Sequence, residues 1–206
     1  MISAFATLAL VHLAAVVSPG PSFLVCSRIA LSDGRIAGFA VAGGMALGTL
    51  LWALGALIGL AVLFEQAQWM YQALRIAGGA FLVFIAIQSW RHAGDALPTH
   101  QETETSGAIS LFAAFRLGLF TQLSNPKVAI FFASIFLAVL PPGSGALGAG
   151  VALVIVTANE FFWYAAVATG LSSAEPRRLY LSYKAPIERA LAIILGLIGI
   201  RIAVDG

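Results

Sequence analysis

The sequence predicts an all-α, polytopic membrane protein of six transmembrane helices, arranged as two inverted three-helix repeats with helices 1 and 4 broken. Three observations predict it. Of the 206 residues, 60% are hydrophobic and 10% charged, with a mean hydropathy of +0.96, whereas soluble domains carry roughly 25% charge. Apolar runs of the roughly 20 residues that a span requires follow one another almost without a gap. The first span of each half is interrupted by proline. The chain, 1–206, then forms one transmembrane domain: repeat one at 1–90, a cytoplasmic loop at 91–110 and repeat two at 111–206.

Span one is placed at Ile2–Cys26. It is apolar from its second residue, has no basic leader or small-residue cleavage signal, and is expected to be retained. Within it lies Ser18-Pro19-Gly20-Pro21. Each proline removes a backbone donor and clashes with the carbonyl four residues back, so a continuous helix is not expected there. Span two, Ile36–Phe64, and its approach carry the glycine pairs Gly34/Gly38, Gly44/Gly48 and Gly55/Gly59. Small residues let helix backbones approach closely in lipid. The plain expectation is packing inside one protomer, with a homodimer face or a substrate path as alternatives. Span three, Trp69–Trp90, is bracketed by tryptophans in the manner of interfacial anchors.

Arg91–Ser110 is polar and rich in turn formers, and reads as a flexible loop. Span four, Leu111–Leu140, is about 45 Å long as an unbroken helix, against a hydrocarbon core of about 30 Å. It contains Asn125-Pro126-Lys127 and must tilt, kink or break. Spans five and six are placed at Gly145–Leu171 and Pro186–Val204.

Charge orients the bundle. Arg28, Arg35, Arg91, Arg116, Arg177, Arg178, Lys184 and Arg189 follow spans one, three and five. The turns after spans two and four hold Glu65 and no Lys or Arg. The positive-inside rule puts the odd-numbered loops in the cytoplasm and both termini outside, with Arg75 and Arg201 running slightly against it.

Freed backbone groups within lipid are tolerated only where protein or a wet cavity satisfies them. Paired Gly/Pro interruptions at matching places in two halves point to a transporter's site. Three spans per half invert the second half, which brings the two breaks to a shared site at mid-depth. Ser18, Thr121 and Asn125 are candidate hydrogen-bonding groups for a small zwitterion there, with Pro19, Gly20, Pro21 and Pro126 opening the backbone. N-terminal helix ends favour a carboxylate and C-terminal ends a cation.

Lys127 and Glu160 also fall near mid-span. A charge there costs about 2.5–3.5 kcal/mol on insertion scales, so such groups pair or line a wet cavity. The two are expected to face each other, as a structural pair or as working groups. Glu160, the acid deep in a span, is the candidate for proton coupling. His12, about two turns before the first break, reads as a packed helix residue. Asp33 and Arg35 read as a turn with a local ion pair, and secondarily as a gate at the inner mouth.

The net charge of +2 leaves no electrostatic footprint for nucleic acid. A single Cys26 excludes an intrachain disulfide or a CxxC site. His12, His92 and His100 have no metal-ligand spacing, and no cofactor is expected. The expected partners are the lipid bilayer and a small-molecule substrate. A membrane-embedded enzyme would need a nucleophile or metal beside Lys127 and Glu160, and the sequence offers neither. A channel would not need two mid-depth breaks.

The same residues carry a family resemblance. Ser18-Pro19-Gly20-Pro21, Asp33-Gly34-Arg35-Ile36-Ala37-Gly38, Gly44 and Gly48 come first, followed by Leu74 to Leu82. Phe115-Arg116-Leu117-Gly118, Asn125-Pro126-Lys127 and Leu195 to Arg201 complete it. In this order the chain resembles the lysine exporter (LysE/RhtB, threonine-efflux) family of bacterial amino-acid exporters over nearly its whole length. The resemblance implies a multi-pass protein of the cytoplasmic membrane that expels amino acids or close derivatives, driven by the proton gradient. It carries Pro19, Gly20, Pro21, Asn125, Pro126 and Lys127 over as functional positions. Ser18 stands where family members often have Asn, and Phe81 where they often have Tyr, which leaves the substrate open.

Overall fold

Lipid gives backbone groups no partners, so a chain this apolar closes its peptide groups inside helices. Every described element of the computed structural model is helical. Residues 2–18, 20–66, 109–132, 145–170 and 174–204 are described, with 76, 79–80, 83–84, 86–88, 90–91 and 93–94 between them. Most of the predicted span Trp69–Trp90, the loop over 95–108, the far part of span four and Pro19 lie outside the described residues.

Among the described residues the order is α1 (Ile2–Val17), α2 (Pro21–Ser32), α3 (Arg35–Gln66), α4 (Leu111–Leu123), α5 (Pro126–Ile130), α6 (Gly145–Gly170) and α7 (Ala174–Val204). The Arg35–Gly59 part of α3 and the whole of α6 are long and apolar enough to cross a membrane. α1 and α2 meet at a bend of 62° and together have the length and apolarity of a broken span or a re-entrant loop. Ile58, Leu147, Val154 and Phe162 are exposed on α3 and α6, as lipid-facing side chains are.

Two boundaries differ from the sequence expectation. α2 runs on to Ser32, past the predicted end at Cys26, and stops at Asp33 and Gly34. Gly34 has φ +87°, which glycine adopts without a Cβ clash. α7 begins at Ala174, well before Pro186, which lies inside the helix. Hydropathy marks where a helix meets lipid, and the charged first turns of α7 are helical without being apolar. Glu175 in the first turn suits the positive end of the helix dipole.

Glycine sets the closest approaches. α3 packs most extensively on α4 and α6. A Cβ at Gly44 would overlap the Phe115 carbonyl oxygen and sit 2.7 Å from the Leu119 amide nitrogen. One at Gly118 would overlap the Val41 carbonyl oxygen. A Cβ at Gly48 would sit 2.8 Å from the Gln122 Cβ, and one at Gly38 would sit 2.6 Å from the Ala168 Cβ. A Cβ at Gly34, Gly55 or Gly59 would meet nothing within 4 Å among the described residues. The glycines of Gly44/Gly48, with Gly38, therefore serve packing within the protomer.

The buried side chains form layers. One apolar cluster holds Leu8, Val11, Ala53, Phe131, Phe132, Ala152 and Val156 among others. A second holds Phe23, Cys26, Val41, Met45, Tyr164 and Ala168 among others. Between them lie the buried polar residues His12, Ser18, Ser22, Thr49, Gln122, Asn125 and Glu160. On α3 the sequence Met45, Thr49, Ala53 steps from one layer through the polar layer to the other, about one turn at a time. On α6 the steps Val156, Glu160, Tyr164 run in the opposite order, as antiparallel helices require.

At the predicted cytoplasmic end, Asp33 closes the turn. Its carboxylate accepts from the Ser32 hydroxyl and from the Ile109 amide at 2.9 Å, which ties the start of the second half to the first. Both bonds favour the ionised form and hold this carboxyl below its usual range. Their stabilisation is therefore present above the ordinary carboxylate pKa and is lost as pH falls through the lowered one. Asp33→Ala should lower the thermal midpoint by about 2 °C at neutral pH, and the difference from wild type should vanish in acid. Equal midpoints at neutral pH would show that the tie carries no stability.

Candidate functional site

The polar layer is where two helices stop. A continuous helix would satisfy the Ser18 carbonyl with the amide four residues on. The break before Pro21 frees it, and Lys127 donates its ammonium to it at 2.9 Å. A cation at the C-terminal end of α1 also matches the dipole of that half-helix. The second break is capped from within. Asn125 is the N-cap of α5, its side-chain oxygen accepting from the Lys127 amide at 3.0 Å. Pro126 takes the first turn, where its missing donor is harmless. α5 is short, and the chain widens into a π turn at Phe131–Phe132.

The breaks are joined by side chains. Asn125 Nδ2 donates to Ser22 Oγ at 3.0 Å, and Ser22 Oγ donates to Gln122 Oε1 at 2.8 Å. Gln122 Nε2 donates to Thr49 Oγ1 at 2.8 Å and to Glu160 Oε1 at 2.7 Å. The other oxygen of Glu160 lies 3.7 Å from His12 Nε2. Asn159 Nδ2 bonds the Ala9 carbonyl at 2.9 Å and pins α6 to α1 beside the acid. His12 stacks edge-on to Phe131 with ring centroids 5.1 Å apart.

These groups surround one cavity. Ser18, Gly20 and Ser22 line it from the first break, Asn125 and Lys127 from the second, and His12, Gln122 and Glu160 complete the polar wall. Its free volume is about 30 Å³, room for a water or two and not for an amino acid. Apolar layers lie to either side.

Of the residues singled out from sequence, the structure brings Ser18, Gly20, Asn125, Lys127 and Glu160 together at this cavity. Pro21 and Pro126 start the helices that flank it. Pro19 lies outside the described residues. Thr121 is not in the wall; its neighbour Gln122 is. One residue turns a helix by about 100°, so the two point apart. Lys127 and Glu160 share the cavity without forming an ion pair: the lysine is held by Ser18 and the acid by Gln122. Asp33 and Arg35 lie at the α2–α3 turn, away from the cavity, and Asp33 bonds Ile109 rather than pairing with Arg35.

His12, Ser22, Thr49 and Gln122 were not legible as site residues, and His12 reads from sequence as packing alone. Their signal was present: each is a polar residue in an apolar run, but polar residues in spans also serve helix contacts.

Fold and site together define a helical membrane protein with a small cavity, lined by buried polar groups, between two helix breaks. The chain belongs to the LysE type translocator family, whose profile matches residues 13–206. The resemblance carried by the proline motifs is thus borne out. The chain is 32% identical over 185 residues to the threonine efflux protein of Salmonella typhi, covering 87% of each chain. It is 30% identical over 185 residues to the threonine efflux protein of Escherichia coli K12, again with 87% coverage of each. It is 27% identical over 161 residues to the homoserine/homoserine lactone efflux protein of Salmonella typhimurium, covering 76% of each. No solved structure matches.

Proposed function

We propose that this protein is a secondary transporter that exports amino acids or close derivatives across the cytoplasmic membrane by proton antiport. One observation carries the reading: groups from both helix breaks converge on a single buried cavity, where Lys127 reaches the Ser18 carbonyl and Asn125 reaches Ser22. An apolar bundle has no structural need for such a cluster, since each polar group sequestered from water costs free energy unless paired. In this reading Lys127 leaves the Ser18 carbonyl to engage the substrate carboxylate. The carbonyl and Asn125 then meet the substrate ammonium and its other polar atoms. Glu160 carries the proton. The names of the threonine and homoserine efflux relatives support amino acids as the substrate class.

Six spans in two inverted halves, with both termini outside, complete the proposal. The layers support it. The segment after the first break sends Phe23 to one apolar layer, and that after the second sends Phe131 and Phe132 to the other. In this reading the small cavity belongs to a form that does not hold the substrate.

Lys127→Ala tests the reading. Cells loaded with dipeptides and expressing the wild-type protein should release one or more amino acids faster than cells without it. The variant, inserted at equal level, should release them at the rate of cells without the protein. Equal release by variant and wild type would remove Lys127 from the site. Release by wild type that ignores an imposed pH gradient would favour a channel over an antiporter.

A further inference from the structure

Gln122 is the most constrained polar residue in the chamber. It is buried, and all three polar positions of its amide are committed: two N–H donors to Thr49 and Glu160, one carbonyl to Ser22. An amide has a fixed polarity, with donors on one side and an acceptor on the other. Its three partners do not. Ser22 and Thr49 are hydroxyls, which donate or accept by rotating one hydrogen. Glu160 accepts when ionised and can donate when protonated. The network therefore has two arrangements, the second leaving one Gln122 N–H without a partner in the network. With Glu160 ionised, Gln122 turns its NH₂ to the acid, and the Ser22 hydrogen is bound to the Gln122 oxygen. With Glu160 protonated and donating, the amide turns over. Its oxygen then accepts from Glu160 and Thr49, and its NH₂ faces Ser22 Oγ.

The second arrangement changes the first break. Ser22 Oγ already accepts from Asn125 Nδ2. With a second donor from Gln122, its two lone pairs are filled and its hydrogen is released toward the cavity that it lines. A proton on α6 thus decides whether a donor is available on α2.

We propose that Gln122 is a positioning residue that couples the protonation of Glu160 to substrate recognition at the helix breaks, by turning its amide over and freeing or capturing the Ser22 hydroxyl hydrogen. The inference rests on the antiport reading above and deepens it. The other titratable groups at the cavity are His12 from α1, Lys127 from α5 and Tyr164 from α6 itself. α3 and α4 present to the acid only Thr49 and Gln122 among the described residues. His12 lies beside Glu160 at 3.7 Å and is the neighbour through which the proton can pass without touching the amide.

The test uses the full chain in liposomes with a labelled amino-acid mixture. Two rates are read: uptake driven by an imposed pH gradient, and exchange at equal pH. Gln122→Leu fills similar space without the amide. Its ratio of driven uptake to exchange should fall at least about 5-fold, the lower end of coupling between sites. Ser22→Ala should lower the ratio likewise, and Ser22→Thr, which keeps the hydroxyl, should restore it. A merely structural role would lower both rates together and leave the ratio alone. That result in Gln122→Leu, or in Ser22→Ala should Gln122→Leu fail to fold, overturns the proposal, as does an unchanged ratio. A wild type with exchange but no driven uptake overturns the antiport reading itself, and this inference with it.

Discussion

Gly44→Val should leave no folded protein in the membrane. The Cβ position at Gly44 is already occupied by the backbone of α4, with the Leu119 nitrogen at 2.7 Å and the Phe115 carbonyl carbon at 2.9 Å. Backbone cannot rotate aside as a side-chain tip can, so α3 and α4 must separate along their shared face. Overpacking of this kind costs about 1–3 kcal/mol where side chains can yield, and more where they cannot. The separation would also pull Thr49 from Gln122, since those residues stand on the same two helices. Detergent extracts analysed by size exclusion should show the variant aggregated or absent. Gly55→Ala, where an added Cβ meets nothing within 4 Å among the described residues, should elute like wild type. A monodisperse Gly44→Val protein would mean that the α3–α4 contact is not as close as described.

Glu160→Gln should abolish proton-driven flux while leaving the protein inserted and extractable. The substitution keeps the size of the side chain and an oxygen to accept from Gln122 Nε2, now at 2.7 Å. It removes the exchangeable proton. In vesicles with an imposed pH gradient, amino-acid movement should drop to the level of protein-free vesicles. Driven flux equal to wild type in this variant would remove Glu160 from coupling.

The sequence announces the places where helices fail better than the directions in which side chains point. Ser18-Pro19-Gly20-Pro21 and Asn125-Pro126-Lys127 are visible because proline acts locally, through its own ring and missing donor. Their meeting at one cavity was the expectation drawn from three spans per half, and Ser18 and Lys127 do lie within hydrogen-bond distance there. Facing is another matter. Thr121 and Gln122 are adjacent and both polar, and in a helix apolar on all sides no periodicity tells which points inward. Charge proved a poor guide to partnership. Lys127 and Glu160 were expected to face each other, and both line the cavity, but the lysine bonds the freed Ser18 carbonyl and the acid accepts from the Gln122 amide, charge-assisted hydrogen bonds in place of an ion pair. Glycine spacing was informative at Gly44 and Gly48 and silent at Gly55 and Gly59, since the pattern does not record whether a neighbour is present.

The two phenylalanine-bearing segments stand on separate breaks, Phe23 beyond Gly20 and Phe131 with Phe132 beyond Asn125, and they serve opposite apolar layers. On the antiport reading the two segments would act as doors, and the Lys127–Ser18 and Asn125–Ser22 contacts tie one break to the other. If that tie lets only one stand ajar at a time, no continuous aqueous path opens. A membrane carrying many copies would then keep its proton gradient.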